Sequence, residues 1–328
     1  MKNLFLLSSL FFTITIANLS CKEEQKKQEL QKVKVAQYGD VFLYMPLYLA
    51  NEKGFFKEEG LEVEINSTGG DDKTFAAVIG GSAEFGIADP SFVAIANEKG
   101  QAGKVIASVV NGVPFWGVTN KPNLQPITND KDLKGLSVAT FPSPSTAYTL
   151  QYDMFKKAGL KPNIRQAAYG ALLSLLESKE VDIALEVEPN VSTALQNGAK
   201  IVYSLTQKYG NFAFTGVTVS DNLIKAKPEL VQKFVNALQK AELFGHKYPD
   251  SLAYYAQKHF NTINSLVLKD ASLRIISSNT FPKNVLITPD AWRKACTLRF
   301  EVGDLKSLEN TFSVYDTSFA TNAIKMIK

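Results

Sequence analysis

The chain has 328 residues, of which 45% are hydrophobic, and a formal net charge of +4. A chain of this size can bury a core without covalent staples, and it is long enough for two domains. With only Cys21 and Cys296 it has no disulfide framework, and its lysines are dispersed rather than clustered, which excludes a nucleic-acid binder.

Met1 and Lys2 lead into an apolar run from Leu4 to Ile16, followed by Ala17, Asn18, Leu19, Ser20 and Cys21. The run is too short to span a bilayer, so residues 1–20 are predicted to be an export signal. This end resembles a bacterial lipoprotein signal, which implies lipid on Cys21 and attachment of the mature chain to a membrane of the cell envelope. Asn18 stands where that pattern prefers a branched apolar residue, and an ordinary secretory signal cut near Ala17 or Ser20 is the alternative. Residues 21–32 are charged and nearly free of apolar side chains, so they are expected to form a solvated tether.

Val33–Ala36 alternates as a first strand, and Tyr38–Pro46 is the loop after it. Pro46 opens a short helix that Gly54 closes, and Leu61, Val63 and Ile65 alternate with Glu62 and Glu64 as a half-buried strand. A helix over Lys73–Ile79 follows a polar loop. The strand Phe85–Ala88 runs into Asp89 and Pro90, Ser91 caps a helix that stops at Gly100, and Val105–Val110 is the next strand. Short apolar strands alternating with helices predict a parallel sheet covered on both faces.

The scheme then repeats. Leu136–Ala139 is a strand, Phe141–Pro144 interrupts it with two prolines, and Ser145 and Thr146 sit at the cap of a helix that Gly159 ends. A strand at Ile164–Ala167, a helix at Ala171–Ser178 and a strand at Val181–Leu185 follow. Ala83–Gly100 and Val181–Gly198 share one order: strand, acid, proline, cap, helix, glycine. Two α/β units are therefore expected, each doubly wound: residues 33–117 with 217–328, and residues 118–216. Phe115–Asn120 and Thr215–Ser220 are predicted to join them as paired hinge strands, and the largely helical remainder from Lys227 to pack back on the first unit.

Helix starts attract anionic or electron-rich atoms, and ligands in open α/β sheets collect at strand carboxyl ends. This marks Ser145 and Thr146 as candidate ligand contacts, although both residues can be caps and nothing more. The loops at the predicted strand ends are rich in aromatics, including Tyr38, Phe42, Trp116 and Tyr169, and in acids, including Asp89, Glu186 and Glu188. Lys73 is their single basic residue, and the nearest arginine in sequence, Arg165, begins a strand. That composition suits a flat ring with amino or imide donors, stacked on aromatics and donating to Glu186 or Glu188.

Several segments resemble the sulfonate, nitrate and thiamine-precursor group of ABC-transporter solute-binding proteins. They are PLYLANEKGFFKEEGLEVEI at Pro46–Ile65, GGSAEFGIADP at Gly80–Pro90, DLKG followed by STAY, and KPELVQKFVNALQKA from Lys227. The resemblance implies the two-lobed periplasmic binding protein fold of the second type, a small molecule held between the lobes, and delivery to an ABC permease. It also implies that Ser145 and Thr146 of the STAY segment contact ligand, and that the loops near Asp89 and Glu186–Pro189 border the cleft. A yeast branch of the group makes the thiamine pyrimidine with a histidine and a cysteine-rich segment. Here His246 and His259 lie in C-terminal helices and Cys296 stands alone. The expectation is a binding protein with no catalytic residue, cofactor or metal site, for a thiamine-type pyrimidine or a flavin. The alternatives are a binder of sulfonate, taurine or nitrate, a ligand-sensing lipoprotein, and a divergent enzyme on the same fold.

Overall fold

The computed structural model describes residues 29–143 and 145–328. The export signal, the lipidation site Cys21, the tether up to Gln28 and Pro144 lie outside the described residues. Ten strands follow in order: β1 (Gln31–Gln37), β2 (Leu61–Ser67), β3 (Phe85–Ala88), β4 (Gly103–Asn111), β5 (Trp116–Thr119), β6 (Val138–Thr140), β7 (Ile164–Gln166), β8 (Ile183–Glu186), β9 (Lys200–Ser204) and β10 (Ala213–Ser220). β1 takes in Gln31 and Lys32, which the sequence assigned to the tether. They pair with Leu61 and Glu62 of β2 through backbone bonds that need no apolar side chain.

The strands form two sheets of five, ordered β2-β1-β3-β10-β4 and β7-β6-β8-β5-β9. Neither is wholly parallel, contrary to the sequence reading. β10 runs antiparallel to β3 and β4, and β5 runs antiparallel to β8 and β9. The physical cause is the double crossing of the chain. β5 and β10 each arrive from the other sheet, at the end where the parallel strands finish, and must run the opposite way.

The expected hinge segments Phe115–Asn120 and Thr215–Ser220 consequently belong to different sheets, and the crossings are paired at their roots. The Gly112 N–H donates to the Phe212 carbonyl at 2.9 Å, the Leu205 N–H to the Phe115 carbonyl at 2.9 Å, and Asn111 Nδ2 to Asn211 Oδ1 at 2.9 Å. Gly112 adopts φ +71°, a left-handed conformation that glycine enters without a Cβ penalty.

Helices cover both sheets. Helix Pro228–Lys247 lies on the first, where Phe234 stacks on Phe85 at 4.0 Å and on Phe56 at 5.0 Å, whereas helix Ser265–Ser277 reaches the second unit, with Arg274 bonding Glu188 at 2.5 Å, so the C-terminal part does not pack on the first unit alone. The second sheet buries a smaller cluster that includes Trp116, Val118, Ala139, Leu172, Ala184 and Val191. Its other face depends on Gly117. A Cβ there would sit 2.2 Å from Cε1 of the buried Tyr203 ring, which is fixed by a 2.6 Å bond from its hydroxyl to Gln151 Oε1. Gly117→Ala is expected to lower unfolding stability by about 1–3 kcal/mol in urea titration, since neither ring nor strand can yield without loss of packing.

Candidate ligand site at the strand carboxyl ends

β1 and β3 of the first sheet and β6 and β8 of the second all end at loops that start helices, as the sequence predicted. Ser145 is the N-cap of helix Thr146–Lys157, and its Oγ accepts from the Tyr148 N–H at 3.2 Å. Thr146 is the first helical residue. It is buried, and its Oγ1 accepts from Arg299 Nη2 at 3.3 Å.

The acid–proline correspondence between the halves holds in three dimensions and goes further than the sequence showed. Asp89 Oδ1 accepts from the Ser91 N–H at 2.9 Å and Oγ at 2.5 Å, capping helix Ser91–Asn97, while Oδ2 accepts from Arg299 Nη2 at 2.6 Å. Glu188 Oε2 accepts from the Ser192 N–H at 3.0 Å, capping helix Asn190–Gln196. Its Oε1 accepts from Ser192 Oγ at 2.9 Å and from Arg274 Nε at 2.5 Å. Ser91 and Asn190, expected as caps, are instead the first residues of their helices, because the preceding acids supply the acceptors. Each capping acid thus takes one arginine from the C-terminal helices.

Glu186 has no counterpart in this scheme. It is fully buried at the end of β8, opposite Trp116 in the antiparallel register. Its Oε2 accepts from the Val187 N–H and from Asn190 Nδ2, both at 3.2 Å, while Oε1 has no partner. Burial, with a smaller contribution from Glu188, pushes its pKa up to about 7. Burial likewise raises Glu188, against the pull of Ser192 and Arg274.

In the first lobe, Asp71 Oδ1 accepts from the Asp89 N–H at 2.9 Å. Burial, then the charge of Asp89, raises the Asp71 carboxyl. Tyr38 is 42% exposed and its hydroxyl is raised by burial and by Asp71. Tyr169 is 49% exposed in the loop between β7 and helix Leu172–Glu177. Burial of its hydroxyl, then the charges of Glu186 in the second lobe and Asp40 in the first, push it up to about 12. Phe141 stacks on the Tyr169 ring at 6.2 Å.

Phe42 does not join this group. It is fully buried against Phe260 at 5.6 Å and leaves no face for a ligand, because the turn Phe42–Tyr44 rolls its side chains into the core. Tyr38, Ser145 and Tyr169 lie in the strand-end loops with exposed or half-buried side chains, whereas Trp116 is 4% exposed in the core cluster of the second sheet, Thr146 is buried and Glu186 is fully buried. Trp116 also lines a cavity of about 550 Å³ with Tyr203, Ser204, Gln207, Arg274 and Ser278, between β9 and helix Ser265–Ser277.

Sequence reasoning missed both arginines. Arg299 lies on the apolar stripe of helix Pro289–Glu301, beside Trp292, Ala295 and Cys296, and a lone cation on such a stripe was the available signal. His259, read as a surface or half-buried helix residue, bonds Asp40 Oδ1 through Nε2 at 2.8 Å and stacks on Tyr48 at 3.9 Å.

Comparison with known proteins places this geometry. YtlA of Bacillus subtilis (strain 168) is 24% identical over 308 residues, 90% of each chain. The riboflavin-binding protein RibY of Chloroflexus aurantiacus is 24% identical over 217 residues, 63% of this chain and 60% of that one. Among solved structures, the periplasmic nitrate-binding protein NrtA from Synechocystis PCC 6803 superposes with a TM-score of 0.69 at 14% identity, over 92% of this chain and 90% of that one. The periplasmic aliphatic sulphonate binding protein SsuA from Escherichia coli gives 0.67 at 14% identity, over 85% and 89%. The desulfurization enzyme DSZB gives 0.64 at 13% identity, over 91% and 100%. At these identities the structures establish the fold, that of the two-lobed periplasmic binding proteins. The family model described as NMT1/THI5 like matches residues 42–252, more than half of the chain, and the protein therefore belongs to the NMT1/THI5-like family.

Proposed function

We propose that this chain is the extracytoplasmic solute-binding component of an ABC importer, held to the envelope through lipid on Cys21. It captures a small heterocycle with N–H donors between its lobes, residues 33–117 with 217–328 and residues 118–216. The observation that carries the ligand class is Glu186 Oε1, a buried acceptor without a partner at the end of β8, flanked by Trp116 and Tyr169. A ring N–H directed at that oxygen removes the cost of leaving it unpaired, and the aromatics supply faces for stacking.

Ser145 and Thr146 supply polar contacts from the helix start, and Tyr38 closes from the first lobe. Asp89 and Glu188 act as caps and arginine partners rather than as direct contacts, since both oxygens of each are already engaged. The relationship to a riboflavin-binding protein favours a ring over a small anion. DSZB shows that the fold can carry catalysis, so the non-catalytic reading rests on side chains. Burial pushes the Cys296 thiol up to about 12, where no useful thiolate exists. The described residues hold no cluster of His, Cys, Asp and Glu able to bind a metal.

Titration calorimetry of the mature chain against a thiamine-type pyrimidine, riboflavin, taurine and nitrate tests the reading. A heterocycle is expected to bind at micromolar or tighter, about −8 kcal/mol. Tight binding of taurine or nitrate with neither heterocycle bound would overturn it.

A further inference from the structure

We propose that the face of the first lobe carrying Lys53, Lys247, Tyr248, Tyr254, Tyr255 and Lys258 docks on a bilayer of anionic lipids and lies in its headgroup layer. The inference rests on the reading of the chain as an envelope protein with lipid on Cys21, and adds the side of the molecule that meets the membrane.

Helix Pro249–His259 buries Leu252 and Ala256 and leaves Tyr254 58% exposed, with Tyr248, the residue before the helix, 45% exposed. The rings form a continuous strip. Phe55 meets Phe244 at 5.8 Å, Phe244 meets Tyr248 at 5.0 Å and Tyr255 at 6.3 Å, and Tyr255 meets Tyr254 at 5.2 Å. Lysines stand over it: Lys53 over Phe55 and Phe244 at 5.7 and 5.5 Å, Lys247 over Tyr248 at 5.4 Å, and Lys258 over Tyr254 and Tyr255 at 5.0 and 5.5 Å. Among the described residues these lysines enter no salt bridge, and the hydroxyls of Tyr248, Tyr254 and Tyr255 bond no group of the chain. Lys240, one turn before Phe244, is by contrast held by Glu58 and Glu59 at 3.1 and 2.7 Å. Glu52 and Asp250 are exposed acids next to the strip in sequence and Lys57 is a further exposed cation, which leaves the strip positive.

What brings a bilayer to this face is the start of the chain. The Gln31 N–H donates to the Gly60 carbonyl at 2.9 Å, and the Glu59 N–H to the Phe55 carbonyl at 3.2 Å, so β1 begins beside the strip. Residues 21–30 span at most about 35 Å when fully extended, so a lipid on Cys21 holds the headgroup layer within that reach of Gln31. The candidate ligand loops follow the opposite end of β1, and docking here leaves them clear of the bilayer. Tyrosine and lysine suit the membrane–water boundary, because an apolar body sits among the headgroups while a hydroxyl or ammonium stays with water and phosphate. The unpaired ammonium groups among the rings favour headgroup phosphates over an apolar protein surface, against which they would be desolvated without compensation.

Vesicle flotation tests this on the mature chain bearing Cys21→Ser, so that the anchor plays no part. Vesicles of phosphatidylglycerol and phosphatidylcholine in equal parts are expected to carry the chain at low ionic strength and to lose it at high, while pure phosphatidylcholine carries none. Lys53→Gln, Lys247→Gln and Lys258→Gln together should weaken partitioning by about a hundredfold. Tyr248→Ser with Tyr254→Ser should weaken it by about tenfold. Urea titration shows whether the variants fold, and the pair Lys247→Gln and Lys258→Gln, both at exposed positions, carries the test if the triple variant does not. The proposal is overturned if the parent stays unbound, if it floats equally on phosphatidylcholine, or if folded variants float as the parent does. It is also overturned if sedimentation shows a dimer that the tyrosine variant loses, which assigns the face to a second copy, or if the lysine variant loses uptake with flotation unchanged, which assigns it to the permease. Mass spectrometry of the native chain reads the lipid on Cys21 separately. Its absence removes the anchor, whereas failed flotation of the Cys21→Ser chain removes the docking face alone.

Discussion

Replacing Arg299 with alanine is expected to lower the unfolding free energy by about 3–5 kcal/mol, the range for stripping one partner from a buried ion pair. Its side chain is 4% exposed and donates to Asp89, Ser91, Asp304 and Thr146. Asp89, only 12% exposed, would keep its bonds to Ser91 but lose the charge that offsets its desolvation. Equilibrium urea unfolding gives the magnitude. Asp89→Asn in the Arg299→Met background should recover much of the loss, because it removes the stranded charge. A second readout is mechanical. Arg299 is borne by a first-lobe helix and holds Thr146 at the start of a second-lobe helix, so Thr146→Val should loosen the lobes with little loss of stability. Small-angle scattering is expected to show a larger radius for Thr146→Val. An unchanged radius would mean that the crossings alone set the angle between the lobes.

The second large effect is expected at Glu186, where function and stability pull apart. Its ordinary pKa of 4.5 rises to about 7 in the fold, so the native state holds its proton more tightly than the unfolded chain does. The stabilisation this provides is complete below pH 4.5 and is lost as pH rises through 7. Above that, the buried carboxylate costs about 3 kcal/mol relative to the neutral form. Glu186→Gln keeps the shape and cannot ionise. The variant should therefore match the parent near pH 4.5 and exceed it increasingly up to pH 8, by as much as about 3 kcal/mol in urea titrations. The same change should weaken ligand binding by about tenfold to a hundredfold, the worth of a charged hydrogen bond. A variant that gains stability without losing affinity would place the ligand away from β8.

What the sequence determined by itself was local order. Phe85–Ala88 is the strand β3, Gly54 closes helix Met45–Lys53 with φ +89°, and Ser145 caps the helix after β6. Each of these follows from side-chain periodicity, capping chemistry or a glycine torsion within a few residues, which a single segment carries in full. The repeated order of strand, acid, proline, cap, helix and glycine at Ala83–Gly100 and Val181–Gly198 implied two α/β units, and the family segments added the periplasmic binding protein architecture.

Strand direction at the crossings was decided elsewhere, because the pattern of FWGVTN or TGVTVS is the same whichever way its neighbours run. The roles of the two acids after β8 were also hidden. Glu186 and Glu188 stand two apart with similar surroundings in sequence, yet one meets an arginine 86 residues away and the other keeps an unpartnered oxygen. Arg299 reaches Asp89 across 210 residues and Thr146 across 153. Local pattern reports which face of an element is buried, but the charge of a site between two lobes is the sum of side chains brought together only when the C-terminal helices pack back, and it is a tertiary quantity.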